Sequence, residues 1–113
     1  MTIETRQTNL PFSDALREHV SQRLSSALHR FSTRIGRARV WVSDLNGPRH
    51  GEFDKVCRIV AEVSPGGQIV AEARADDPYA AVSQAAARLH GEVRRVIDRR
   101  NRRRDRRFES PTP

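Results

Sequence analysis

Between Tyr79 and Arg107 the chain carries two stripes on one helical period, one apolar and one of arginine. At about 100° per residue, Val82, Ala86, Leu89, Val93, Val96 and Ile97 fall on one side, while Arg88, Arg95, Arg99, Arg102 and Arg106 share a face roughly opposite. One helix therefore has a side to bury and a side to charge. Arg100, Arg104 and Arg107 return to the angles held earlier by Val82, Ala86 and Leu89, so core packing is predicted to stop at about Ile97. The last turns then project into solvent or into a partner. At a rise of ~1.5 Å per residue the helix reaches roughly 40 Å, enough to follow several phosphates of a folded RNA.

Composition points to a partner of opposite charge. Lys+Arg is 21 against Asp+Glu 14, the formal net charge is +7 and the pI is about 11.3, so a polyanion is the first expectation. Lys55 is the only lysine, and a planar guanidinium offers paired donors that match phosphate oxygens and can stack on exposed bases. A GC-rich genome also raises arginine content, so the alignment of the stripe weighs more than the total.

The length of 113 residues fits one domain with a single modest core; residues 1–107 read as that domain and residues 108–113 as a disordered tail by composition. One cysteine, Cys57, excludes an internal disulfide framework, and Met1 to Arg6 has no signal-like apolar run. A cytoplasmic location is the simplest expectation. No stretch approaches the ~18 apolar residues of a membrane span, and the small Ala, Val and Leu side of the last helix lacks the bulky aromatics of an interfacial membrane helix.

Residues 2–8 read as a strand. A helix then opens with Ser13 as N-cap and Asp14 where the helix dipole favours an anion, and runs to about Arg30 on Leu16, Val20, Leu24, Ala27, Leu28 and Phe31, with His19, Arg23 and Arg30 on its flank. Strands follow at Arg37 to Ser43 and Lys55 to Val63, joined by the Gly- and Pro-containing loop Asp44 to Asp54, and a Pro65-Gly66-Gly67 turn leads to a fourth strand, Gln68 to Ala75. Alternation turns Ala38, Val40, Val42, Cys57, Ile59, Ala61, Val63, Ile69, Ala71 and Ala73 to one face, which should carry both helices. The expected fold is α+β, in the order β-α-β-β-β-α, with two helices packed on one face of a four-stranded sheet. The opposite face, with Arg39, Trp41, Ser43, Arg58, Val60, Glu62, Val70, Glu72 and Arg74, is mixed in charge and mostly polar, and Trp41 stands out on it. It reads first as a cross-strand anchor over Val60 or under the long loop, and second as a base-stacking platform.

Candidates for catalysis or metal binding fail on spacing. If Asp44 began a calcium loop, the required Gly would fall at Arg49 and the bidentate Glu at Lys55. His50, Asp54 and Cys57 form a poor zinc set, with Cys57 turned to the core. No nucleophile elbow, Gly-rich phosphate loop or metalloprotease motif occurs, and the four histidines are scattered, so helical His reads as surface filler. Asp76-Asp77 before Pro78 is explained by a helix start. No enzymatic activity, metal or cofactor is expected.

Leu16-Arg17-Glu18-His19-Val20-Ser21-Gln22-Arg23-Leu24, the Pro65-Gly66-Gly67 hairpin and Asp77-Pro78-Tyr79-Ala80-Ala81-Val82 opening an Arg-rich last helix together resemble the ribosome hibernation-promoting factor and ribosome-associated translation inhibitor family, in its short form. Ser43-Asp44-Leu45-Asn46-Gly47-Pro48 and Asp54-Lys55-Val56-Cys57 look like a variant branch. The resemblance covers nearly the whole chain. It implies binding to rRNA of the small ribosomal subunit in the channel of messenger and transfer RNA, stopping initiation in idle cells. Basic residues matching the family's RNA-facing helix are Arg88 and Arg95, continued by Arg99 and Arg102. Where relatives often carry an Asp-Lys-Leu-x-Arg run, this chain has Ala87-Arg88-Leu89-His90-Gly91, so one basic contact is missing at Gly91, a residue that costs a helix about 1 kcal/mol relative to Ala. The chain ends soon after the last helix, so the extra domain by which long members pair ribosomes is not expected.

The RNA-binding set expected from stripe and resemblance together is Arg88, Arg95, Arg99, Arg102, Arg103 and Arg106, with Arg23, Arg30 and Tyr79. The alternative is a protein-interaction regulator, such as a modulator of a transcription factor, docking the arginine helix on an acidic protein surface.

Overall fold

The computed structural model describes residues 1–11, 13–45 and 54–109, with side chains through residue 103. The chain forms β1 (Thr2–Thr8), α1 (Asp14–Leu28) with a short 3₁₀ turn at His29–Phe31, β2 (Ile35–Asp44), β3 (Lys55–Val63), β4 (Gln68–Ala75) and α2 (Pro78–Glu109). The expected α+β class and β-α-β-β-β-α order are observed.

The sheet order is β1-β2-β3-β4. Because α1 carries the chain back over the sheet, β2 enters parallel to β1, with Thr2 opposite Arg37 and Thr8 opposite Ser43. The strands β2, β3 and β4 follow one another antiparallel, the last two joined by a tight turn. Both helices cover the same face, where Leu16, Val20, Leu24 and Leu28 of α1 meet Val82, Leu89, Val93 and Ile97 of α2 over Val40, Val42, Cys57, Ile59 and Ala73. The alternation read from sequence is therefore the observed core, with Ile69 partly buried at the β4 end.

Strand β2 starts two residues earlier than expected. From Ala38 the alternation would turn Ile35 to the open face, yet Ile35 is buried in the core. The reason is a register irregularity between Ile35 and Ala38, at Gly36, which resets the phase so that both residues point inward.

Local chemistry sets the element ends. Ser13 Oγ accepts from Leu16 N at 3.1 Å, and Gln7 holds the same corner by accepting from Ser13 N at 3.2 Å. Asp77 Oδ1 accepts from Tyr79 N at 2.8 Å at the start of α2. Between β3 and β4, Gly66 and Gly67 adopt φ of 123° and 120°, where a side chain is strained. The last buried apolar residue of α2 is Ile97, as the stripe predicts, but Arg100 corrects the expectation that packing ends there. Its guanidinium donates to Ser64 O and Gly66 O, both at 2.9 Å, so α2 stays tied to the β3–β4 turn for a further turn by polar contacts. Beyond it α2 continues away from the sheet, and the molecule measures 68 × 24 × 19 Å.

The buried core makes folding sensitive to alkali. Desolvation pushes the Cys57 thiol from 9.0 up to about 12. Lys55 is also raised, chiefly because its ammonium donates to Asp54. Both groups hold protons more firmly folded than unfolded, so their stabilisation is complete below about pH 9 and is lost as pH rises towards 12. Melting temperature should fall steadily above pH 9, and Cys57→Val should remove the first part of that fall. An unchanged profile in the variant would exclude Cys57 as its source.

Candidate nucleic-acid interface

The arginines of α2 are graded by what the fold already asks of them. Arg88 lies beside the edge strand, and its Nη1 donates to Glu72 O of β4 at 2.6 Å, so it helps cover an open sheet edge. Arg95 donates to Glu92 Oε1 at 2.7 Å and, through Nε, to Gly91 O at 3.3 Å. That pair is exposed on both sides and exchanges readily for another anion. Arg99, Arg102 and Arg103 are exposed or at the surface and make no ion pair or hydrogen bond among the described residues. Arg106 lies in α2, but its side chain is outside the described residues. Gly91 is accommodated without distortion, its Cβ position open except for Arg95 Nη2 at 3.8 Å.

Arg23 of α1 and Arg30 of the following 3₁₀ turn belong to a different surface. Arg23 lines a groove of about 230 Å³ between the helices with Ser26, Ala27, Ser83, Ala87 and His90. Arg30 is exposed and places its guanidinium carbon 5.9 Å from the Phe31 ring centroid. On α2 the centre of the groove-facing Ser83, Ala87 and His90 lies roughly a third of a turn from the centre of the line of Arg88, Arg95, Arg99 and Arg102. The expected set is thus split into two rows on two flanks of α2. Tyr79 sits at the N-terminal end of the groove, 37% exposed, its ring edge-to-face with His19 at 5.0 Å.

The histidines correct the surface-filler reading. His19 Nε2–H donates to Tyr79 O at 3.2 Å with Ser83 Oγ equally close, and His90 Nδ1–H donates to Ala27 O at 2.6 Å. Each joins α1 to α2. Both carbonyls can only accept, which assigns the protonated ring nitrogen in each case. The missed signal was angular: His19 flanks the buried Leu16 and Val20, and His90 flanks Leu89, so both point at a neighbouring helix.

At the β2–β3 connection Lys55 Nζ meets Asp54 Oδ1 at 2.8 Å and Asp44 Oδ2 at 3.3 Å, with both carboxylates buried. Asp54 is therefore a partner of Lys55, Cys57 is in the core, and His50 lies outside the described residues. Among the described residues no group of three metal-ligating side chains converges, and no helix is long and apolar enough to cross a membrane.

Residues 3–101 match the family model described as sigma 54 modulation protein / S30EA ribosomal protein. No curated protein matches the chain. Among solved structures, the Thermus thermophilus Protein Y N-terminal domain is 29% identical with a TM-score of 0.68, over 85% of this chain and 99% of that one. A ribosomal subunit interface protein from Coxiella burnetii is 22% identical with a TM-score of 0.71, over 87% of this chain and 99% of that one, a likeness of fold. With the family match running from β1 through α2 as far as Asn101, the chain belongs to the sigma 54 modulation protein / S30EA ribosomal protein family.

Proposed function

We propose that this protein is a cytoplasmic ribosome hibernation factor that binds rRNA of the small subunit in the channel of messenger and transfer RNA and blocks translation in idle cells. The observation that carries this reading is the row of Arg95, Arg99, Arg102 and Arg103, exposed on a helix that outruns its own core and is not required by the fold. Arg106 extends the row, Arg88 anchors its base, and Arg23, Arg30 and Tyr79 supply a second contact across the inter-helix groove. Membership of a ribosomal protein family supports the ribosome as partner. The protein acts by occupancy: it needs no cofactor and turns over no substrate.

Inhibition of cell-free translation should saturate near one protein per small subunit and weaken when message and initiator transfer RNA are bound first. Co-sedimentation with small subunits should be lost after RNase treatment. Strongly substoichiometric inhibition, or sedimentation with an acidic protein that survives RNase, would overturn the reading in favour of a protein-docking regulator.

A further inference from the structure

The sheet face that carries no helix has its own cationic and aromatic centre. Strand register places Arg6, Trp41 and Arg58 side by side on β1, β2 and β3, with Arg39, Val60 and Val70 in the next row. The half-buried indole of Trp41 has the Arg39 guanidinium carbon 5.6 Å from its ring centroid. Arg39 Nε is buried there with no hydrogen-bond acceptor. Two hollows flank this pair. One of about 270 Å³ lies towards β1, bounded by Glu4, Arg6, Arg37 and Arg39; the other, of about 460 Å³, lies over Arg58, Val60, Gln68 and Val70. Arg6 and Arg58 are exposed and make no ion pair among the described residues, while Glu4, the acid at the first hollow, is already paired with Arg37 at 2.6 Å.

We propose that this face is a second nucleic-acid site, which stacks a base of single-stranded RNA against Trp41 while Arg6, Arg39 and Arg58 meet the flanking phosphates. Charge complementarity selects this occupant. Three arginines surround one indole, a pairing that suits a π-face with anions on either side. Among the described residues, Val70 is the one large hydrophobic within the sheet face around Trp41 that is substantially exposed, which leaves too little apolar area for a stable protein interface. Glu72 lies opposite Arg58 and Glu62 opposite Gln68 on the β4 side, so the phosphates run past Arg6 and Arg39 on β1 and β2, with Arg58 at the far margin of the site. The site faces away from α2, which packs against the opposite side of the sheet, so it can hold a strand while the α2 arginines hold another surface.

Trp41 is the only tryptophan, so its fluorescence reports the site directly in the intact protein. A single-stranded decauridylate should quench it saturably, whereas a glutamate-rich decapeptide and an RNA duplex of equal length should not. By competition against labelled oligonucleotide, Trp41→Ala should weaken binding about 5- to 100-fold, the range of one lost base–aromatic stack, and Trp41→Phe should restore most of it. Arg6→Gln with Arg58→Gln keeps the reporter and should weaken quenching with a shallower salt dependence. The triple Gln variant at Arg95, Arg99 and Arg102 should quench like the parent, which separates this site from the function proposed above. Quenching by the peptide or duplex as strong as by decauridylate, no quenching at all, or undiminished oligonucleotide binding by Trp41→Ala together with the Arg6/Arg58 variant, would overturn the proposal.

Discussion

Changing Arg95, Arg99 and Arg102 together to Gln should weaken ribosome binding by about 100-fold or more, since a charge-assisted hydrogen bond contributes on the order of 1.5–3 kcal/mol and three are removed. Changing Arg17, Arg37 and Arg74 removes the same formal charge from other surfaces and should leave affinity within a few-fold of the parent. The comparison leaves out Arg88, because its bond to Glu72 O makes it part of the sheet edge, and a loss there would mix stability with binding. The chosen three are exposed, and Gln has nearly the helix propensity of Arg, so melting temperatures should agree within a few degrees. Salt dependence gives a second readout. Each neutralised phosphate contributes a slope of roughly −0.7 to −0.9 in log affinity against log salt, so the α2 variant should be shallower by about 2 to 3. Equal losses in the two variants would reduce the α2 row to bulk attraction, which depends on total charge and is screened within about 10 Å at 0.1 M salt.

What could be read from sequence was whatever obeys a period or a backbone rule. β3 and β4 came from alternation and from the Gly66-Gly67 turn, and the end of the apolar stripe at Ile97 came from helical angle alone, because these depend on neighbours close in the chain. The bulge at Gly36 was not legible, since it shows only when Ile35 must share a face with Ala38. Arg100 was assigned to solvent by the same angular reasoning that correctly ended the apolar stripe; a long side chain on the core face can satisfy turn carbonyls 34 and 36 residues earlier in the chain. The candidate interface was legible in part. Its α2 row follows from period, but the separation of Arg23 and Arg30 onto the other flank depends on how α1 lies against α2, which no local pattern contains. The inter-helix bonds of His19 and His90 belong to the same class.

The groove that these histidines help to build also explains why the two rows are presented rigidly. Each bond joins a side chain of one helix to the other helix, directly at a backbone carbonyl. The helices also share buried Val20, Leu24, Leu89 and Val93. An RNA surface meeting both rows therefore meets a fixed spacing, and little conformational freedom is lost when it binds.

Lys55→Met should lower the melting temperature by on the order of 10 °C or more at pH 7, a larger stability loss than any of the surface changes above. Lys55 is the sole lysine, opposite Asp44 in the β2–β3 register, and its ammonium holds the carboxylates of Asp44 and Asp54, whose side chains are 7% and 1% exposed. Without it the two carboxylates lose the cation that joins them, at a position where their mutual repulsion is weakly screened. The same position closes the ladder, since Leu45 N donates to Asp54 O at 2.9 Å, so repulsion between the carboxylates opens the end of β2 and β3 from which the long loop departs. Two controls identify charge as the cause. Removing one of the two carboxylate charges relieves the repulsion, so adding Asp54→Asn should recover much of the loss at pH 7. Breaking the exposed Arg37–Glu4 pair by Arg37→Met should change the melting temperature little, because both of its groups remain in water. A Lys55→Met protein that melts within a few degrees of the parent at pH 7 would show that the trio is ornamental to the fold; one whose deficit ignores Asp54→Asn would trace the loss to packing of the lysine stem.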